Sequence, residues 1–197
     1  MASLSTGSAK AVLKDRGNDL YESPPEAVRA LMRAERLPNV IWEPACGPGV
    51  IVRTLRAAGH QVYATDLVDY DSPDQDNHGW DFLSERQLPI GVQAIITNPP
   101  FKNASEFVAH ALELCPKVMM LLRLAFLESQ KRTPILDSGH LARVHVFRNR
   151  LPMMHRAGQG IAQPDKQSSS ALAFAWFVWD RAHSGPTELH RVSWEAT

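Results

Sequence analysis

The chain has 197 residues, a formal charge of zero, two cysteines and 44% apolar residues. That length favours one domain with a sizeable core. Its longest uninterrupted apolar run, Ala171 to Trp179, has nine residues, far short of the roughly 20 a membrane helix needs, and the N-terminus lacks the apolar stretch of a signal peptide. Cys46 and Cys115 cannot build a disulfide framework, and no histidines stand at metal-ligand spacing, so no metal is expected. The composition reads as a cytoplasmic enzyme or binding domain that does not engage a membrane.

The zero net charge is unevenly spread. Asp66 to Arg86 carries seven acids and one base, whereas Arg123 to Lys166 carries eight bases and three acids. A basic stretch can hold a polyanion or be an ordinary solvated surface. Arg148, Arg150 and Arg156 are the substrate-contact candidates within it.

Residues 1–18 read as a mobile arm and 19–197 as a single domain. Ser23-Pro24-Pro25-Glu26 looks like a helix start with serine as N-cap and proline in the first turn, and Pro38 ends that helix. Asn39 to Trp42 is a buried strand, followed by the turn Glu43-Pro44-Ala45-Cys46-Gly47-Pro48-Gly49 and a helix over Val50 to Ala58. Gln61 to Thr65 is a second strand, ending at Asp66, with a polar loop over 69–79. Ala94 to Thr97 is a third, ending at Asn98-Pro99-Pro100-Phe101. Apolar positions at 104, 107, 108, 111, 112 and 115 share one helical face. Val118 to Leu124 is a fourth strand, Leu127 to Gly139 is irregular or a helix broken by Pro134, and Val144 to Phe147 is a strand. A long loop spans 151–170. Ala171 to Trp179 is an aromatic-rich strand whose tryptophans belong to the core, and Glu188 to Trp194 is a short edge strand. Strands alternating with helices imply an α/β fold with a parallel sheet covered on both faces. The helix-poor last third implies an antiparallel strand at one edge.

Ligands in such sheets sit at the carboxyl ends of the strands, where three polar signals fall. Gly47 and Gly49 form either a tight turn or a place for close backbone approach to a ligand. They are no dinucleotide fingerprint, because Val52 occupies the third glycine position. Asp66 could accept ribose hydroxyls or cap a helix. Together the turn and the acid suggest a nucleoside-bearing cofactor. In Asn98-Pro99-Pro100-Phe101, two prolines remove backbone donors and leave a cluster of acceptors, suited to a neutral planar amine, with an aromatic ring beside it.

These residues resemble the class I S-adenosylmethionine-dependent methyltransferases, and within them the amino-methylating DNA adenine group, over roughly Tyr21 to Leu124. Tyr21-Glu22-Ser23-Pro24 is similar to the group's N-terminal cofactor motif. Glu43 to Gly49 (Glu43, Pro44, Ala45, Cys46, Gly47, Gly49) is similar to its glycine loop. Asp66 matches the ribose acid, Asp81-Phe82 the pair that holds the cofactor's adenine, and Asn98-Pro99-Pro100-Phe101 the catalytic tetrad. The resemblance implies a Rossmann-like, mostly parallel seven-stranded sheet with one antiparallel edge strand. It implies S-adenosylmethionine as cofactor, direct methyl transfer without a metal, and DNA as substrate. RNA or a protein glutamine could take part in the same chemistry, and a silent cofactor-binding module is the reading from another class. With no expected target-recognition domain, sequence specificity would be low or supplied by a partner. Cys46, in the glycine loop, is not placed as a nucleophile.

Overall fold

The computed structural model describes residues 21–151 and 172–195. The expected arm over 1–18 and nearly all of the loop over 151–170 lie outside them.

Short runs of apolar and β-branched residues form β1 (Val40–Glu43), β2 (Gln61–Ala64), β3 (Ala94–Thr97) and β4 (Lys117–Arg123). β1 pairs in parallel with β2 and β3, and β3 with β4. The chain then adds β5 (Leu141–Phe147), β6 (Phe174–Asp180) and β7 (Glu188–Val192). The seven-stranded order is β2-β1-β3-β4-β6-β5-β7. β6 runs antiparallel to both β4 and β5, whereas β7 is parallel to β5.

The single antiparallel strand is therefore present but is not outermost, because β5 and β7 lie beyond it. Composition explains the placement. In β6 every residue from Phe174 to Trp179 is buried, which requires cover on both faces and a ladder partner on both edges. Polar, exposed β7 suits the edge.

Alternation along the strands feeds two cores. On one face Ile41, Ile96, Met119, Leu121 and Trp176 pack against α1 (Pro25–Ala34) and α2 (Val50–Ala57). On the other, Trp42, Ile95, Met120, Phe177 and Trp179 pack against α3 (Ala104–Leu114) and the single turn α4 (Thr133–Leu136). The indole N–H of Trp176 donates to the Ala27 carbonyl at 2.8 Å and that of Trp179 to the Ile135 carbonyl at 3.0 Å. The two tryptophans thus fill the core and still satisfy their one polar atom.

Ser23 does not cap α1. The N-cap is Pro24, Pro25 opens the helix, and no side chain caps it. Proline at the first position has no N–H to satisfy, which lessens the need for a cap. The Ser23 hydroxyl is buried with no hydrogen-bond partner.

Candidate active site

Because β1, β2 and β3 are parallel neighbours, their carboxyl ends meet at one rim. There the 44–48 turn, Asp66, the 80–83 segment and Asn98-Pro99-Pro100 wrap a cavity of about 350 Å³ closed on another side by Tyr21–Ser23. That volume is in the range of small-molecule sites. Of the residues expected from sequence, Tyr21, Ser23, Pro44, Ala45, Cys46, Gly47, Asp66, Asp81, Phe82, Asn98, Pro99 and Pro100 line it. Glu43, Gly49 and Phe101 do not.

Asp66 organises the turn. One carboxylate oxygen accepts the Gly47 N–H at 2.8 Å and the other the Val68 N–H at 2.9 Å. Burial pushes its carboxyl above the usual range, and the N–H groups of Val68, Gly47 and Leu67 draw it partly back. Gly49 has φ +93°, and a Cβ there would lie 2.4 Å from the Cβ of Asp74. The close approach that requires glycine is thus made by the chain's own Asp74, itself paired with Arg53, and not by a ligand. Glu43 is wholly buried beneath the turn and accepts the Ala45 N–H at 3.2 Å. Burial raises its carboxyl to about 8, against smaller opposing effects of Thr97 and Ala45. Burial also pushes the Cys46 thiol up, with Glu43 and Asp66 adding to the shift. A thiolate nucleophile is disfavoured there.

Asp81 caps the short 3₁₀ turn Phe82–Ser84, accepting the Leu83 N–H at 3.1 Å and the Ser84 hydroxyl at 2.8 Å. Phe82 is fixed by edge-on contact with Trp42 at 5.2 Å and by Phe107 at 4.9 Å.

At the end of β3 the Asn98 amide nitrogen donates to the Tyr21 carbonyl at 2.6 Å. A carbonyl can only accept, so this contact sets the orientation of the amide. It leaves Oδ1 without a partner, beside two prolines that carry no N–H. The end of β3 therefore holds a buried acceptor with no donor of its own. Phe101 stands next to the cavity with its ring 4.8 Å from Tyr21 and 5.7 Å from Phe174, and the Arg123 guanidinium lies 4.5 Å from its centroid.

The basic stretch is partly neutralised by distant residues. Arg143 pairs with Glu35, whose carboxylate also takes a 2.7 Å hydrogen bond from His145. Burial alone would raise the Glu35 carboxyl, but His145 and Arg143 hold it down at about 2. Arg132 is spent on the Ser105 hydroxyl and on backbone carbonyls including those of Phe126 and Glu128. Arg148 and Arg150 are exposed just past β5, separated from β3 by β4 and β6. Arg148 borders a shallow groove with Ala30, Arg33 and Val192, away from the cavity. Arg156 lies outside the described residues.

Trp80 and Lys102 also line the cavity, and sequence reasoning missed both. The Trp80 indole N–H is buried without a partner, and its only sequence signal is an aromatic residue ending a polar loop.

No family model matches the chain, and no curated protein matches it. Solved structures do. A modification subunit ascribed to a type I restriction enzyme from Vibrio vulnificus YJ016 superposes with a TM-score of 0.60 at 13% identity, over 93% of this chain and 50% of that one. A Listeria monocytogenes protein ascribed to the class I S-adenosylmethionine-dependent methyltransferases gives 0.58 at 14% identity, over 95% and 71%. The fold is that of the class I methyltransferases. The 23S rRNA methyltransferase ErmE shares it, with a TM-score of 0.52 at 18% identity over 84% of this chain and 71% of that one. This chain spans about half the length of the Vibrio vulnificus subunit. Within the methyltransferase fold, the cavity lies where the carboxyl ends of β1, β2 and β3 converge. Among the described residues no helix is long and apolar enough to cross a membrane.

Proposed function

We propose that this chain is an S-adenosylmethionine-dependent methyltransferase acting on the exocyclic amine of adenine in DNA. The observation that carries the reading is the unpartnered Asn98 Oδ1, held in place by the Tyr21 carbonyl at the end of β3. The residues around the cavity fit the cofactor. Gly47 and Asp66 form a preorganised turn, Asp66 is the acid for a ribose, and the Ser23 hydroxyl and Trp80 indole N–H are buried polar groups that lack partners. Buried unsatisfied groups are costly unless a ligand completes them.

When bound, S-adenosylmethionine supplies an electrophilic methyl group, so the chain needs no metal for activation. The work of the chain is positioning. Asn98 Oδ1 and the Pro99 carbonyl accept the two amine hydrogens, which draws the nitrogen lone pair out of conjugation with the ring and stabilises the positive charge that develops on nitrogen. Phe101 offers a ring face for the base. It is now occupied by Tyr21 and Arg123, so the base reaches it only after these side chains adjust. A duplex base must also leave the stack, at a cost of a few kcal/mol.

We also infer that the described residues form one methyltransferase domain whose sequence specificity is low or supplied by a partner. The likeness to a protein that is itself a modification subunit supports the second option. Transfer of labelled methyl from S-adenosylmethionine to DNA, RNA and protein, side by side, tests the proposal. Labelled N6-methyladenine in DNA is the expected product. Label in RNA or on glutamine alone would overturn the substrate, and no transfer to any acceptor would favour the silent module.

A further inference from the structure

Arg123 is the last residue of β4, one strand from the Asn98 tetrad, and pairs across the sheet with Phe174. Its guanidinium carbon lies 4.5 Å from the Phe101 ring centroid. Tyr21, whose carbonyl holds Asn98, and Phe174 also pack against that ring. The cation is thus linked to Asn98 through Phe101 and Tyr21.

Its buried nitrogen is unmatched. Nε is buried with no hydrogen-bond partner, and among the described residues no carboxylate pairs with this arginine. Arg132 makes the contrast, since its Nε and Nη1 donate to a hydroxyl and to carbonyls. Arg123 as a whole is only partly buried, but shutting Nε off from water without an acceptor is unfavourable, and a ring face is only a partial substitute. Such a group is completed by a ligand anion, and its planar fork matches phosphate oxygens. The anion is not part of the cofactor, because Arg123 and Phe101 are both outside the residues lining the cavity.

The geometry points to Arg123 as the contact for the phosphodiester that flanks the acceptor nucleotide. This inference rests on the methyltransferase reading and deepens it: the amine is carried on a nucleic-acid strand and not on a protein side chain. Arg123 selects the acceptor by its backbone charge, at any base sequence.

The test uses the full chain saturated with S-adenosylhomocysteine and fluorescent DNA and RNA oligonucleotides of one sequence, titrated between 50 and 200 mM NaCl. Arg123→Gln keeps much of the side-chain volume and removes the charge, and Arg123→Lys restores it. The parent's log affinity should fall linearly with log salt. In Arg123→Gln the slope should shrink by about 0.7–0.9, the amount for one phosphate contact, with affinity roughly fivefold to tenfold weaker. Arg123→Lys should recover the slope. KM for the oligonucleotide should rise while kcat stays within about threefold. Cofactor affinity measured by calorimetry should match the parent in both variants. The arm that shows the slope change, DNA or RNA, identifies the strand. An unchanged slope in Arg123→Gln, or loss of cofactor binding along with oligonucleotide binding, overturns the inference. If the parent methylates DNA yet the slope is unchanged, only the role of Arg123 fails. If the parent neither binds nor methylates nucleic acid, the acceptor reading fails and takes this inference with it.

Discussion

Replacing Asn98 with alanine removes two separable things. The first is the hydrogen bond to the Tyr21 carbonyl, 2.6 Å long. A carbonyl left without its donor costs about 1–2 kcal/mol, which in a chain of this size lowers Tm by about 2–8 °C. The second is the unpartnered Oδ1. Its contact with the amine strengthens only as positive charge develops on nitrogen, so its loss falls on turnover. One preorganised polar group of this kind is worth about 10²–10³ in kcat. Cofactor affinity should shift by less than about 1 kcal/mol, because the amide is spent on Tyr21 and the acceptor. Asn98→Asp separates the two effects. It keeps an acceptor oxygen but sets a second oxygen against the Tyr21 carbonyl, which favours the protonated acid. That form reproduces the donor and acceptor of the amide. Asn98→Asp should therefore be less impaired than Asn98→Ala, with its activity relative to the parent rising as the pH falls. Single-turnover methyl transfer to DNA at saturating cofactor, with calorimetry for cofactor binding and thermal melts, reads all three quantities. If Asn98→Ala transfers methyl at the parent rate, the tetrad is not the catalytic centre and the functional reading goes with it.

Asp66→Ala should weaken S-adenosylmethionine binding by about 2 kcal/mol or more, since it loses the ribose acid and the clamp on the Gly47 N–H together; unchanged calorimetric affinity would remove Asp66 from the site. Gly49→Ala should destabilise the chain by about 1–2 kcal/mol for its positive φ, and further because its Cβ meets the Cβ of Asp74. Gly139→Ala, with φ +79° and open space around it, bears the dihedral cost alone, so equal losses in urea titrations of the two variants would contradict the Asp74 contact. Glu43, raised by burial from 4.5 to about 8, keeps its proton in the native state over a range where the unfolded chain releases it. Stability should accordingly fall as pH rises from about 4.5 to about 8, by an amount on the order of a few kcal/mol. Glu43→Gln should flatten that slope, and the same pH dependence in both proteins would show that Glu43 is not the titrating group.

Much of the scaffold of the site was legible locally. The strand ends at Trp42–Glu43, Ala64 and Thr97 follow, to within a residue, from short apolar runs, and α3 from apolar residues spaced on one face. Asp66 and Asn98 fall just after such runs, which in a parallel sheet is the ligand-facing rim. The identity of those elements depends on residues a few positions apart, so composition and spacing suffice. The wholly apolar run of β6 also held the information that it needs cover on every side, although the helix-poor sequence around it pointed to an edge.

Only the tertiary structure decided how distant segments meet. It spent Gly49 on Asp74, left the Ser23 hydroxyl facing a cavity instead of capping a helix, and turned the Asn98 amide by means of Tyr21. It also divided the basic stretch, giving Arg143 to Glu35 and leaving Arg123 against an aromatic ring. Strand order governs these pairings, and it emerges from the burial of two whole sheet faces at once. Backbone propensity acts over one turn or one strand, whereas the unpartnered polar atoms that mark a site appear only after every other pairing has been made.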